Sequence, residues 1–187
     1  MAEPPDRTEL FLSHLDRLTG GADAHFSAIE STVPALPGIT AIAYDDLPEP
    51  GHLVGFTYGL SLAEHDAWLY GKPELCICVR SEDRRWVLAV AYLAEVLRGR
   101  SPFSYGDVLE LGEPVSPESA MDGFVVFAPA VVEEADASID VGEDLPVHLV
   151  GMYPTYESER DYIDEHGLEA FWALGPDPYD VRRPPAV

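Results

Sequence analysis

Glu74-Leu75-Cys76-Ile77-Cys78-Val79-Arg80, followed after a short polar break by Asp83 to Arg98, decides the architecture of this chain. In the first stretch Leu75, Ile77 and Val79 alternate with Cys76 and Cys78, so an extended backbone would be apolar on both faces. Such a strand belongs in the middle of a sheet that is covered on both sides. In the second stretch Trp86, Val90, Leu93 and Leu97 recur at helical spacing, and Gly99 stands where a helix commonly ends. A buried strand leading into an amphipathic helix is the nucleus around which the other segments arrange.

On the N-terminal side, Asp6 and Glu9 have capping-box spacing and Leu10, Phe11, Leu15 and Leu18 share one helical face, which predicts a helix over residues 7–19 that stops at Gly20-Gly21. Ile39 to Tyr44 and Leu53 to Tyr58 read as strands on either side of the acidic, proline-rich loop Asp45-Asp46-Leu47-Pro48-Glu49-Pro50-Gly51. On the C-terminal side, strands are expected at Val108 to Leu111, Gly123 to Phe127, Ala137 to Val141 and Val147 to Tyr153. Thr155 is placed to cap a helix that runs to His166, and Gly167 precedes a short helix over 168–174. The Pro-rich residues 175–187 read as a loose tail. The expected fold class is therefore α+β: one domain over 1–187, with its core at about 25–174, built as a mixed, mostly antiparallel sheet covered by helices.

Composition narrows the function. A chain of 187 residues with 47% hydrophobic side chains can bury one sizeable core without disulfide or metal staples. With 34 acidic against 11 basic residues the formal charge is −23. A nucleic acid or an anionic membrane surface would be repelled rather than bound. The acidity is uneven, net −7 over residues 1–100 and net −16 over 101–187. A strong negative field suits fast association with a basic protein, and equally suits solubility or life in high salt. Met-Ala-Glu-Pro-Pro-Asp has neither the basic end nor the apolar run of a leader, so the mature chain is expected to begin there, and the longest apolar stretch, 86–94, is far too short to span a bilayer. Cys76 and Cys78, next-but-one on one strand face, are poorly placed for a mutual disulfide, which fits a cytoplasmic location.

Catalytic patterns fail one after another. Gly59-Leu60-Ser61-Leu62-Ala63 starts like a nucleophile elbow but has Ala63 where the second glycine belongs, and Ser61 with His65 has only sequence proximity. Cys76 and Cys78 lack the further ligands of a tetrahedral zinc site, and the six histidines show no H-E-x-x-H spacing. No cofactor motif and no metal site are expected. A small hydrolase or metal enzyme using Ser61, His65, Cys76 or Cys78 stays as an alternative. More suggestive is the turn at Gly106-Asp107 after Phe103 and Tyr105, because exposed aromatic side chains are enriched where proteins touch.

Several segments, taken in order, resemble the Suppressor of fused family. Thr57-Tyr58-Gly59-Leu60-Ser61 is similar to its aromatic-Gly-Leu-Ser motif, Pro73-Glu74-Leu75 to its Glu-Leu strand, Trp86 to Leu97 to its amphipathic helix, and Phe103-x-x-Gly106-Asp107-Val108 to its Gly-Asp turn. Val147 to Tyr153 followed by Glu157, Glu159, Gly167 and Leu168 is similar to its strand-then-helix ending. The resemblance implies a non-enzymatic interaction domain. It places Asp107 on a peptide-binding surface, with the family's helix aromatic replaced near Glu95. It further implies that stand-alone bacterial members are immunity proteins, here one that binds and blocks a basic toxin, or else regulatory adaptors that bind a peptide. The expected partner contacts are Asp107, Tyr105 and Glu95, together with the acidic loop residues Asp45, Asp46 and Glu49.

Overall fold

In the computed structural model, which describes residues 5–187, the first helix starts at the capping box read from the sequence: the Glu9 amide donates to Asp6 Oδ1 at 2.9 Å and the Asp6 amide to Glu9 Oε2 at 3.1 Å. The leaderless reading of residues 1–4 lies outside the described residues. Helix α1 (Arg7–Thr19) stops at Gly20, whose φ of 65° a residue with a side chain rarely adopts. Strands β1 (His25–Ala28), β2 (Thr40–Asp45), β3 (Leu53–Tyr58) and β4 (Lys72–Val79) follow, with a single 3₁₀ turn at Leu60–Leu62. Then come α2 (Arg85–Leu97), β5 (Val108–Glu110), β6 (Gly123–Phe127), a 3₁₀ turn at Glu134–Asp136, β7 (Ser138–Ile139), β8 (Val147–Thr155), α3 (Glu157–His166) and α4 (Leu168–Ala173).

The strands form one mixed sheet in the order β1-β2-β3-β4-β8-β6-β5, with β7 paired to β8. Only β4 and β8 run parallel. Every other pair is antiparallel. As its two apolar faces require, β4 sits in the middle of the sheet, and seven of its eight residues are buried.

Each face has its own cover. Helix α2 packs Trp86, Val87, Val90, Leu93 and Ala94 onto Ala43, Leu53, Leu75 and Ile77. The close approach depends on Gly55, since a Cβ there would lie 2.4 Å from a Val87 methyl. On the other face α1 buries Phe11 and Leu15 against Ile42, Tyr44, Phe56 and both cysteines. Helices α3 and α4 cover the β6 side through Val125, Tyr153, Ile163 and Phe171.

Several sequence readings change, among them the strand expected at 137–141, of which only Ser138–Ile139 forms. The four-residue β1 lay hidden because His-Phe-Ser-Ala has no apolar alternation and all four residues are exposed. Thr155 is the last residue of β8 rather than a cap; the Glu159 carboxylate takes the capping role by accepting from the Tyr156 amide at 3.1 Å. The tail is docked, not loose. Arg183 pairs with the buried Glu159 through both guanidinium nitrogens, the Ala186 amide donates to Glu159 Oε1 at 2.9 Å, the Arg80 amide donates to the Tyr179 carbonyl at 2.7 Å, and Val181 is buried. No helix among the described residues is long and apolar enough to cross a membrane.

Candidate protein-interaction site

Two of the short motifs meet in the fold. Glu74, fully buried on β4, accepts from the Thr57 hydroxyl at 2.7 Å, the Gly59 amide at 2.8 Å, the Ser61 amide at 3.0 Å and the Ser61 hydroxyl at 2.6 Å. A buried carboxylate ringed by donors locks the strand-to-turn connection. Gly59, at φ 119°, makes a bend that aims its own amide at the carboxylate. The Ser61 hydroxyl is consumed here and is inaccessible, and His65 Nδ1 accepts from the Ala67 amide at 3.1 Å, so the two do not form a nucleophile and base.

Cys76 and Cys78 point to the same face of β4 and are buried and free. Burial pushes both thiols up to about 12, which keeps them protonated and inert at neutral pH. Among the described residues no group of His, Cys, Asp and Glu is arranged to hold a metal ion.

The Gly-Asp turn builds a different kind of surface. The Gly106 amide donates to the Val126 carbonyl at 2.8 Å and the Val126 amide donates to the Asp107 carbonyl at 2.9 Å, so two residues oppose one. With Gly106 at φ 97° this is a glycine-first β-bulge, and only glycine occupies that position without strain. Asp107 is a positioning residue: its Oδ2 accepts from the Ser104 amide at 2.8 Å and its own amide donates to the Ser104 carbonyl at 3.0 Å. Phe103 is buried beneath the turn, and Tyr105 projects from it with 58% of its surface exposed. Its ring lies 5.3 Å from Phe127, and Phe127 lies 5.9 Å from Trp172. Beside the turn β5 ends the sheet. The Leu111 amide donates to the Asp122 carbonyl, so by alternation the main-chain groups of Val108 and Glu110 face away from β6.

The other expected contacts lie elsewhere. Asp45, at the end of β2, accepts from Arg84 Nε at 3.1 Å, and this hydrogen bond holds its carboxyl below the usual range. Asp46, at φ 57°, accepts from the Gly51 amide at 2.9 Å and so shapes its own loop. Glu49 is exposed and lies 3.7 Å from His52 Nδ1. Between this loop and β5 run β4, β8 and β6, a separation of about 19 Å across the sheet. The acidic loop and the Tyr105 turn are therefore separate surfaces.

Placement of Glu95 at a partner surface is overturned, because it is only 2% exposed. It pairs with Arg98 Nη2, and Glu95 Oε1 accepts from the Thr32 amide at 2.6 Å and the Thr32 hydroxyl at 2.8 Å. Arg98 in turn donates to the Pro37 carbonyl at 2.7 Å. The pair staples the 29–38 connection to α2. One turn earlier Tyr92, which lies off the Trp86-Val90-Leu93-Leu97 stripe, is the exposed aromatic of this helix.

Ion pairing concentrates the negative field. Of the 11 Lys and Arg residues, ten lie within 4.0 Å of a carboxylate of this chain, the exception among the described residues being Arg100. Positive charge is thus neutralised locally, while most carboxylates among the described residues have no Lys or Arg within 4.0 Å and are exposed.

Residues 35–184 match the family model described as Suppressor of fused protein (SUFU). No curated protein matches the sequence. Among solved structures, a SUFU (suppressor of fused protein) homolog from Neisseria gonorrhoeae FA 1090 is similar with a TM-score of 0.75 at 20% identity, covering 94% of each chain. A chain of the Sufu-Fu complex is similar with a TM-score of 0.71 at 12% identity, covering 98% of this chain and 93% of that one. Drosophila Suppressor of Fused is similar with a TM-score of 0.72 at 11% identity; all of this chain is covered but only 54% of that one, so the likeness spans about half of the Drosophila chain. At these identities the likenesses show a shared fold.

Proposed function

Because the chain belongs to the Suppressor of fused family, we propose that it is a non-enzymatic protein-binding module that serves in the cytoplasm as an immunity protein, binding and blocking a basic toxin domain. The observation that carries this reading is the ion-pair inventory: a −23 chain whose cations are almost all tied up internally presents a nearly unopposed anionic surface. Such a surface accelerates encounter with a basic protein, and a toxin site that holds phosphates is basic by construction. Tyr105, rigidly mounted on its bulge, supplies an aromatic anchor of the type that dominates interface energetics.

A second reading, a regulatory adaptor that takes a linear segment, is favoured by the free main-chain groups along β5. One of the similar structures is of a Sufu-Fu complex.

The test begins with capture of the tagged protein's partner from its source at low salt, followed by reconstitution of the purified pair. A folded basic domain should be bound, its association rate should fall as ionic strength rises, and co-expression should rescue cells from its toxicity. Tyr105→Ala should weaken the complex by roughly tenfold or more while leaving the fold intact. A partner that is not basic, or that harms no cell, overturns the immunity role, and a partner bound through a short linear segment moves the assignment to the adaptor.

A further inference from the structure

The opposite edge of the sheet carries an opening of its own. The Ile29 amide donates to the Ile39 carbonyl at 2.8 Å, and Ala28 pairs with Thr40 in the register. By the alternation of an antiparallel ladder, His25, Ser27 and Ile29 bond to β2, whereas the N–H and C=O groups of Phe26 and Ala28 point off the sheet. Those four groups have no partner among the described residues. Natural edges are commonly guarded by lysine, proline or a bulge, and β1 has none of these. Phe26 is 58% exposed besides.

Next to this edge lies a groove of about 400 Å³, lined chiefly by His25, Ser27, Ala41, Ala43, Val87 and Leu88. Its origin is plain from the packing. Gly55 draws α2 down onto β3 through Val87, and the small Ala41 and Ala43 leave the β1 side of that face unfilled.

Charge identifies the occupant. Asp23 and Glu30 bracket β1, are exposed, and pair with no cation among the described residues, whereas Arg84 in the groove is held by Asp45. A second copy pairing antiparallel about Ser27 would set Asp23 opposite Ser31 and Glu30 opposite Ala24, so neither carboxylate would meet a cation. A cationic segment would satisfy both carboxylates, which on an extended backbone stand about 23 Å apart.

We propose that β1 is a docking strand for a linear cationic segment of a partner protein, which adds antiparallel to the edge and lays alternate apolar side chains into the groove beside α2. The cationic character of the partner rests on the reading above; the edge and the groove do not.

The probe is a labelled peptide of about eight residues with lysine at each end and valine alternating with threonine between. Binding is followed by fluorescence anisotropy, and amide exchange is followed by NMR. Slowed exchange of the Phe26 and Ala28 amides is expected, together with at least a tenfold loss of affinity for Ala28→Pro and no change for Val108→Pro on β5. A glutamate-ended version of the peptide should bind at least tenfold more weakly. Should Ala28→Pro fail to fold, the exposed double variant Asp23→Lys and Glu30→Lys should reverse the preference between the two peptides. No binding, equal binding by Ala28→Pro, or protection of Val108 and Glu110 instead overturns the proposal whatever the outcome of the toxin test, whereas equal binding of both peptides removes its cationic part alone. Dimerisation of the protein that Ala28→Pro abolishes would assign the edge to a second copy and overturn it as well.

Discussion

The hydroxyl of Ser61 lies 2.6 Å from the carboxylate of Glu74, and both residues are wholly buried. The contact turns two motifs that look catalytic or accidental in the sequence into one structural device. A carboxylate that accepts from two hydroxyls and two amides is saturated, and a serine that donates to it has no free proton to give up to a base.

Glu74→Leu leaves four buried donors without an acceptor and should destabilise the protein by about 3–5 kcal/mol. Glu74→Gln keeps one acceptor oxygen and should cost about 1–3 kcal/mol. Urea unfolding measures both, as a lower midpoint at unchanged slope. A loss below about 1 kcal/mol for the leucine variant would contradict the locking role.

Removal of the Glu159 carboxylate frees the tail. Glu159→Ala strands Arg183 and the Ala186 amide, and breaking a buried pair of this kind costs about 3–5 kcal/mol. Trypsin should then cut rapidly after Arg182 and only slowly there in the parent protein, while the Arg183–Pro184 bond resists it in both. Equal resistance in the variant would mean that buried Val181 and the Tyr156 hydroxyl, which donates to the Arg183 carbonyl, hold the tail without the ion pair.

Thiol reactivity separates a structural from a chemical role for the cysteines. Because both thiols are pushed up to about 12 by burial, the native protein at pH 8 should react with a disulfide reagent no faster than it unfolds, and both thiols should react at once in denaturant. Rapid native labelling would restore the metal-enzyme alternative.

The Asp45–Arg84 pair makes an acid-sensitive contribution of known sign. The hydrogen bond from Arg84 holds the Asp45 carboxyl below its usual 3.8, so the folded state binds that proton less readily than the unfolded state. Its stabilisation is present above that value and disappears as pH falls through the depressed folded value. Arg84→Met should therefore be slightly less stable than the parent at pH 7, as befits an exposed pair, with the difference closing below pH 3.8. Thermal melts of both proteins across that range test it, and a gap that persists into acid would assign the effect to packing of the Arg84 stem.

Residue pattern alone carried the strongly periodic elements. The apolar alternation of β4, the Trp86-Val90-Leu93-Leu97 stripe of α2 and the Asp6–Glu9 box of α1 all stand where the spacing puts them. What escaped was either too short or too exposed to leave a hydrophobic period. The exposed β1 and the two residues left of the strand expected at 137–141 belong there, as does the proline-rich tail, which is held by Glu159 rather than by any periodicity of its own. For the candidate site, the order of the motifs pointed to Tyr105 and Asp107, but Glu95 looked like any surface glutamate until its partners Arg98 and Thr32 closed around it.

The sequence by itself determined the α+β class, the buried central strand, the two-sided cover and the −23 charge, because hydrophobic periodicity and net charge are local or additive properties of the residues. Tertiary structure alone decided that ten cations are neutralised within the chain, that the acidic loop and Tyr105 lie on different surfaces, and that β1 is left with an unpaired edge. Each of those depends on which residues distant in sequence come within a few ångströms of one another, and pairing of that kind is set by strand order and register, which no short window of residues encodes.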